Sequence, residues 1–386
     1  MKKIVFCIFF FFLMASCTER RTVKMTPWGT PAGGDTAVTA PFTLTDILSN
    51  GELIMLTLSG PETYYDYHQH GMGTQYLLCE RFARQLGVSL RVDVCKDTAQ
   101  MIAKLQRGEG DVIAFQLPLT EKGVRFCGAR TDSHSTQWAV RTDNSALADT
   151  LNHWFRPELV AEARREERFL LSAQSIKRHV YAPMINRQEG VISRYDGLFR
   201  RYASTARLDW RMLAAQCYQE STFDPHASSW AGACGLMQIM PSTAAHLGLA
   251  MADIFNPEAN IEAAARYLSE LHDKFQDIDA AERRNFVLAS YNGGASHIRD
   301  AMALTRKYGG NPHRWSDVSV FVERLSQPQY YNDPIVNNGY MRGYETVDYV
   351  ARIRQRYAQY RGFAASASFQ GYVSPQKAQH RNRFER

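Results

Sequence analysis

Residues 210–243 read WRMLAAQCYQESTFDPHASSWAGACGLMQIMPST and open with a helical pattern. Trp210, Leu213, Cys217 and Glu220 fall on one helix face, and the last of the four is a carboxylate. A glutamate on an apolar face is costly unless it is paired or carries its proton. Pro225 disfavours helical geometry at Asp224, so the helix is predicted to end near Phe223 with Glu220 in its last turn. There the negative end of the helix dipole also opposes ionisation. Both effects raise the pKa, as a general acid at neutral pH requires. Taken alone, the pattern fits a partly solvated helix-end glutamate better than a catalytic one.

The flanking residues change that balance. Glu220-Ser221, Ser229, Gly232-Ala233, Gly235-Leu236-Met237-Gln238-Ile239-Met240-Pro241 and Thr243-Ala244 resemble, without a gap, the signature of family 1 lytic transglycosylases. These lysozyme-like enzymes cleave the glycan strands of peptidoglycan. The resemblance implies Glu220 as the single catalytic acid/base, with Ser229, Gln238, Met240 and Thr243 lining the sugar groove. Core packing fits Met240 equally well.

With 386 residues the chain has room for two domains. Lys2 and Lys3 precede an apolar run, Ile4 to Leu13, that is too short to span a bilayer and reads as a signal peptide over residues 1–16. Met14-Ala15-Ser16-Cys17 resembles a lipobox with Met14 in place of the commoner Leu. Lipidation of Cys17 would anchor the chain without a transmembrane helix, in the bacterial envelope, at the outer membrane and facing the periplasm. Residues 17–45, rich in Thr, Pro, Gly and Ala, read as the linker from that anchor. The net charge of +6 is concentrated in Lys2, Lys3 and the basic tail 364–386, leaving a near-neutral body that argues against nucleic acid as a partner. Five cysteines remain once Cys7 and Cys17 are set aside: Cys79, Cys95, Cys127, Cys217 and Cys234. An odd number cannot all pair internally, and core thiols are expected. His68-x-His70 is a weak metal hint read as a loop; no metal and no cofactor is assigned.

Residues 46–171 alternate strand and helix patterns. Leu53–Leu58, Ser89–Val94 and Asp111–Phe115 are strand candidates; Gln75–Leu86 and Thr98–Gln106 are helices. The alternation predicts a parallel sheet. GELIMLTLSG, GTQYLLCERFARQLGVSL, MIAKLQRGEGDVIA and LPLT resemble the solute-binding domain of F-type membrane-bound lytic transglycosylases. Such domains have two lobes, and the span for a second lobe is missing between Phe126 and Gln137. Lys122 stands where amino-acid-binding relatives carry a ligand-gripping arginine, and the two cations are not interchangeable at bidentate sites. A scaffold or protein-docking role, its partner unknown, is therefore expected over a sensor. Glu158 to Leu171 reads as a charged helix with a solvated face, and 172–190 as a polar connector.

Residues 191–363 carry the remaining motifs. VISRYDGLFRRYAST is predicted to be an amphipathic helix, and Asn256-Pro257 opens another by capping. Ala289-Ser290-Tyr291-Asn292-Gly293-Gly294 resembles the family's Ala-Tyr-Asn-x-Gly motif, with Ser290 in the alanine position. That places Tyr291 near Glu220 and Asn292 at the sugar or the turn, although a helix stop explains the same residues. Glu345-Thr346-x-x-Tyr349-Val350 resembles the closing motif, where Glu345 would bind substrate or form a salt bridge.

The fold class expected is thus an α/β single lobe of periplasmic-binding type followed by a mainly α, lysozyme-like domain. The expected reaction cleaves the bond between N-acetylmuramic acid and N-acetylglucosamine in peptidoglycan strands without water, closing a 1,6-anhydro ring. Trp230, Leu236, Met237, Met240 and Tyr291 offer apolar walls that keep water out. The alternatives are a muramidase that uses water, and a non-catalytic wall-binding scaffold lipoprotein.

Overall fold

The computed structural model describes residues 43–130, 135–182, 184–186 and 188–363. The expected signal peptide, Cys17, most of the linker and the basic tail lie outside the described residues. The α/β half opens with α1 (Leu44–Asn50), two residues before the expected boundary, because Thr43 and Asp46 form a capping box. It continues through β1 (Glu52–Leu58), β2 (Tyr65–Tyr67), β3 (His70–Met72), α2 (Thr74–Leu86), β4 (Ser89–Cys95), α3 (Thr98–Gln106) and β5 (Val112–Pro118). β6 (Arg125–Arg130), β7 (Thr136–Val140), α4 (Ser145–Trp154) and α5 (Glu158–Leu170) complete it.

Five of these strands form one sheet in the order β4-β1-β5-β7-β6. β4, β1 and β5 are parallel, joined by crossover helices. The expected all-parallel sheet is corrected at the other edge, where β7 runs antiparallel to both β5 and β6. The cause is chain length. Between Arg130 and Thr136 there is no room for a crossover helix, so β6 must return directly as β7. The same short return leaves no space for a second lobe. Leu53, Met55, Leu78, Phe82 and Trp138 fill one side of the sheet. Trp138 donates its indole N–H to Gln75 at 2.6 Å, and Asp111 accepts the N–H of Ile54 at 2.8 Å.

The charged helix α5 is not simply solvated. Its Leu159 and Ala163 are buried, and Arg81 of α2 bridges Glu162 at 3.0 Å and Glu166 at 2.6 Å. Glu167 accepts from Tyr65 and Thr74, so one face of α5 is a docking surface for α2 and the β2–β3 hairpin.

The helical half comprises α6 (Asp196–Tyr202), α7 (Trp210–Ser221), α8 (Pro241–His246), α9 (Pro257–Lys274), α10 (Ala280–Gly293), α11 (Ala295–Lys307), α12 (Trp315–Arg324), α13 (Pro328–Tyr331) and α14 (Gly343–Phe363). α6 starts later than its apolar pattern suggests, because Asp196 folds back onto the N–H groups of Ile192 and Ser193. α9 begins as expected, with the Asn256 side chain accepting from Glu258 and Ala259 and Pro257 in the first turn. Its face of Ile261, Ala264, Ala265, Leu268 and Leu271 is fully buried. α7 is buried around most of its circumference, from Met212 to Cys217, which makes it the central helix of this core. The five cysteines are free thiols, four of them buried. Among the described residues, no helix is long and apolar enough to cross a membrane.

Candidate active site

α7 brings Glu220 to its C-terminal end, and the chain stops the helix one residue later by backbone conformation. Thr222 and Phe223 are left-handed, at φ 55° and 63°, and the Thr222 N–H closes the turn onto Tyr218. A bulky residue such as phenylalanine rarely adopts that region, and each such residue costs about 1–3 kcal/mol. The connector before the helical half compensates. His179 donates its N–H to Asp224 at 2.7 Å and accepts the Thr222 hydroxyl at its carbonyl. Arg178 donates to the backbone carbonyl of Glu220 at 3.1 Å. Asp224, which also accepts from His226, is a buried turn residue.

Glu220 is half-buried, and its carboxyl is pushed up to about 7. Desolvation is the main cause; the Tyr349 hydroxyl and the Arg178 charge pull the other way without cancelling it. Tyr349, from α14, donates to Oε1 of Glu220 at 2.5 Å. Among the described residues, the side chains that act on Glu220 are Tyr349 and Arg178. Sequence reasoning quoted Tyr349 within a motif but gave it no role, and treated Arg178 as linker. Tyr349 lies one helical turn after Glu345, on the segment already singled out, and that spacing was the available signal.

Next to Tyr291, a residue on which the Glu220 charge acts, lies a cavity of about 400 Å³; Glu220 itself is not among the residues that line it. Tyr291 lines it, and its phenol, pushed up by burial and by Glu220, donates to the Met237 carbonyl at 2.8 Å. Gln238, Met240, Thr243, Asn292 and Glu345 line the same cavity. Gln238 is left-handed at φ 48°, and its amide holds the loop by donating to Ala227 and Gly235. Asn292 accepts from Thr346 at 2.7 Å, and Glu345 is bridged by Arg342 at 2.6 Å, so both carry structural bonds while facing the space. Ser290, which replaces the family's alanine, is buried on this wall with no partner for its hydroxyl. Ser229 is elsewhere: its hydroxyl accepts the Ala233 N–H within a turn, and it does not border the cavity. Of the five apolar walls expected, Leu236 and Met237 have no exposed surface and stand behind the lining, whereas Met240 and Tyr291 form it. Trp230 borders a second depression of about 380 Å³.

A helix-borne, half-buried acid with its carboxyl pushed up to about 7, next to a cavity-lining tyrosine, is suited to general acid catalysis. Residues 197–313 match the sequence family described as Transglycosylase SLT domain. This segment is an SLT domain. It contains Glu220, the Gln238 loop and the Tyr291 motif, while Tyr349 lies beyond the match. About four-fifths of the chain resembles proteins named membrane-bound lytic murein transglycosylase F. The protein of that name from Saccharophagus degradans is 27% identical over 81% of this chain and 83% of its own length. The one from Klebsiella pneumoniae is 37% identical over 58% of this chain, but only 44% of its own length is covered. Among solved structures, the soluble lytic transglycosylase SLT70 from Escherichia coli aligns with 44% of this chain and 24% of its own, at 28% identity and TM-score 0.31. The arginine-bound domain 1 from TmArgBP aligns with 30% of this chain and 97% of its own, at 26% identity and TM-score 0.26.

Proposed function

We infer that this protein is a peptidoglycan lytic transglycosylase, a lyase acting on the glycan strands at the periplasm-facing cell envelope. The observation that carries the mechanism is Glu220 at the end of α7 with the Tyr349 hydroxyl on one carboxyl oxygen, and burial pushes that carboxyl up to about 7. Protonated Glu220 gives its proton to the oxygen bridging N-acetylmuramic acid and N-acetylglucosamine as the C1–O bond breaks. The substrate's own acetamido group stabilises the cation at C1, one of the known exceptions to two-carboxylate chemistry. Glu220, now a carboxylate, takes the proton of the C6 hydroxyl as that oxygen bonds to C1. The products are a 1,6-anhydro ring and a free hydroxyl on the leaving sugar, with no water consumed.

Tyr349 occupies Oε1 and leaves the other carboxyl oxygen free for the travelling proton. The two carboxylates on the cavity wall are committed elsewhere. Glu345 is held by Arg342, and Asp66 accepts the N–H of Gln69. Neither acts on Glu220, and the C6 hydroxyl has an effective concentration that water cannot match. Gln238, Met240, Thr243, Asn292 and Glu345 would hold the sugars. The lipid on Cys17 would fix the enzyme to the outer membrane.

Digestion of peptidoglycan in ¹⁸O-labelled water tests the chemistry. The expected products end in 1,6-anhydro-N-acetylmuramic acid and carry no label. Labelled reducing ends as the main product would make the enzyme a muramidase.

A further inference from the structure

Gln216 lies on α7 one helical turn before Glu220 and has no exposed surface. The residues around it in the helix, Ala214, Ala215 and Cys217, are equally buried. Neither its amide nitrogen nor its amide oxygen has a hydrogen-bond partner among the described residues. Desolvating an amide without pairing it is costly, and a leucine or methionine would fill the same helix position without that cost. An unpaired amide kept in a packed core points to a role other than stability.

The group this amide reaches is the Tyr349 hydroxyl. α14 packs along α7, and the Gln216 N–H acts on the Tyr349 phenol as a donor does, easing its ionisation, although the pair stands outside normal hydrogen-bond geometry. Tyr349 in turn donates to Oε1 of Glu220 at 2.5 Å. Gln216, Tyr349 and Glu220 thus form a short polar chain from the core to the acid. Among the described residues, the other titratable groups that face Glu220 are Arg178 of the connector, Tyr291 of α10 and Cys217 of α7 itself. Gln216 does not border the 400 Å³ cavity, so it does not touch a sugar held there.

We propose that Gln216 is a positioning residue for the Glu220 acid, holding the Tyr349 hydroxyl in its donor direction from the core side. The proposal rests on the general-acid reading above. A phenol hydroxyl can both donate and accept. Free to turn, Tyr349 would accept from protonated Glu220 and draw the proton away from the scissile oxygen. An amide N–H on the phenol oxygen fills its acceptor side and leaves donation to Oε1 as its role. The proton of Glu220 then stays on the other carboxyl oxygen, where the bridging oxygen of the substrate can take it. After the transfer, the same donation steadies the carboxylate that receives the C6 proton.

The test follows muropeptide release across pH by the full-length wild type, Gln216→Met, Gln216→Leu, Tyr349→Phe and the double variant Gln216→Met with Tyr349→Phe. Both apolar variants at Gln216 should lower the plateau kcat about three- to tenfold with KM unchanged, the order of one lost hydrogen bond. They should also move the falling alkaline limb upward by roughly half a pH unit, a threefold change in the ionisation constant. Their melting temperatures should equal or exceed that of the wild type, because a buried unpaired amide has gone. In the Tyr349→Phe background, Gln216→Met should change neither kcat nor the limb, since the group it acts through is absent. Unchanged kcat and pH profile in the single variants would overturn the proposal. So would the same loss with and without Tyr349, or a lowered melting temperature in both apolar variants, because the amide would then be a structural group. Full turnover by Glu220→Gln would instead remove the general-acid reading itself.

Discussion

In the sheet of the α/β half, the indole of buried Trp138 is paired with Gln75, Asp111 is paired with the Ile54 backbone, and the strand register is regular from Glu52 to Leu58. Around the groove, an acid is held partly out of water, the Ser290 hydroxyl has no partner, and the backbone is strained. Of six left-handed non-glycine residues among those described, Thr222 and Phe223 follow Glu220, and His68, Gln69 and Gln238 line the cavity. The difference teaches where each half spends its free energy. The sheet is built for stability, and the groove holds groups that water and relaxed backbone would otherwise neutralise.

Exchanging one group in each region should separate these roles. Glu220→Gln keeps the shape and removes the transferable proton, so wall cleavage should fall at least ~10²-fold in a muropeptide-release assay. Stability should move the other way at alkaline pH. A carboxyl raised from 4.5 to about 7 costs the folded state progressively between those values, because the unfolded chain ionises first. The melting temperature of the wild type should therefore decline relative to Glu220→Gln as pH rises from 4.5 to 7, then run parallel to it. Trp138→Ala should do the reverse of the catalytic exchange: a loss of about 3–5 kcal/mol in denaturant unfolding, from the cavity left in the sheet core. If it left stability intact and removed activity, the division between the halves would fail.

Tyr349→Phe should have a smaller and more specific effect. Its hydroxyl favours the carboxylate form, so its loss should raise the Glu220 pKa and shift the falling alkaline limb of the pH–rate profile upward. An unchanged or downward-shifted limb would remove Tyr349 from the site. The weakest effect belongs to the α/β half as a binder. With one lobe and Lys122 exposed, it should give no micromolar heat of binding with free amino acids in calorimetry of the full chain. Micromolar binding would restore a sensor role.

Much of this was legible in the sequence, for local reasons. The cap at Asn256-Pro257, the strand at Leu53–Leu58 and the position of Glu220 in a last helical turn all depend on neighbours within a few residues. What escaped depends on distant ones. β2 and β3 have three residues each, too few to show a period, and the Gln69 contacts with Ser242 and Thr243 join residues more than 170 apart. Tyr349 meets Glu220 across 129 positions. The antiparallel edge of the sheet was hidden because an alternating pattern of strands says nothing about how short the last return is.

The central claim is that Glu220 holds its proton near neutrality. Carboxyl-¹³C glutamate labelling, with the Glu220 signal assigned by its absence in Glu220→Gln, follows that group directly through a pH titration. A midpoint near 7 is expected. A midpoint at the ordinary glutamate value of about 4.3, with the group fully ionised at neutral pH, would contradict the account.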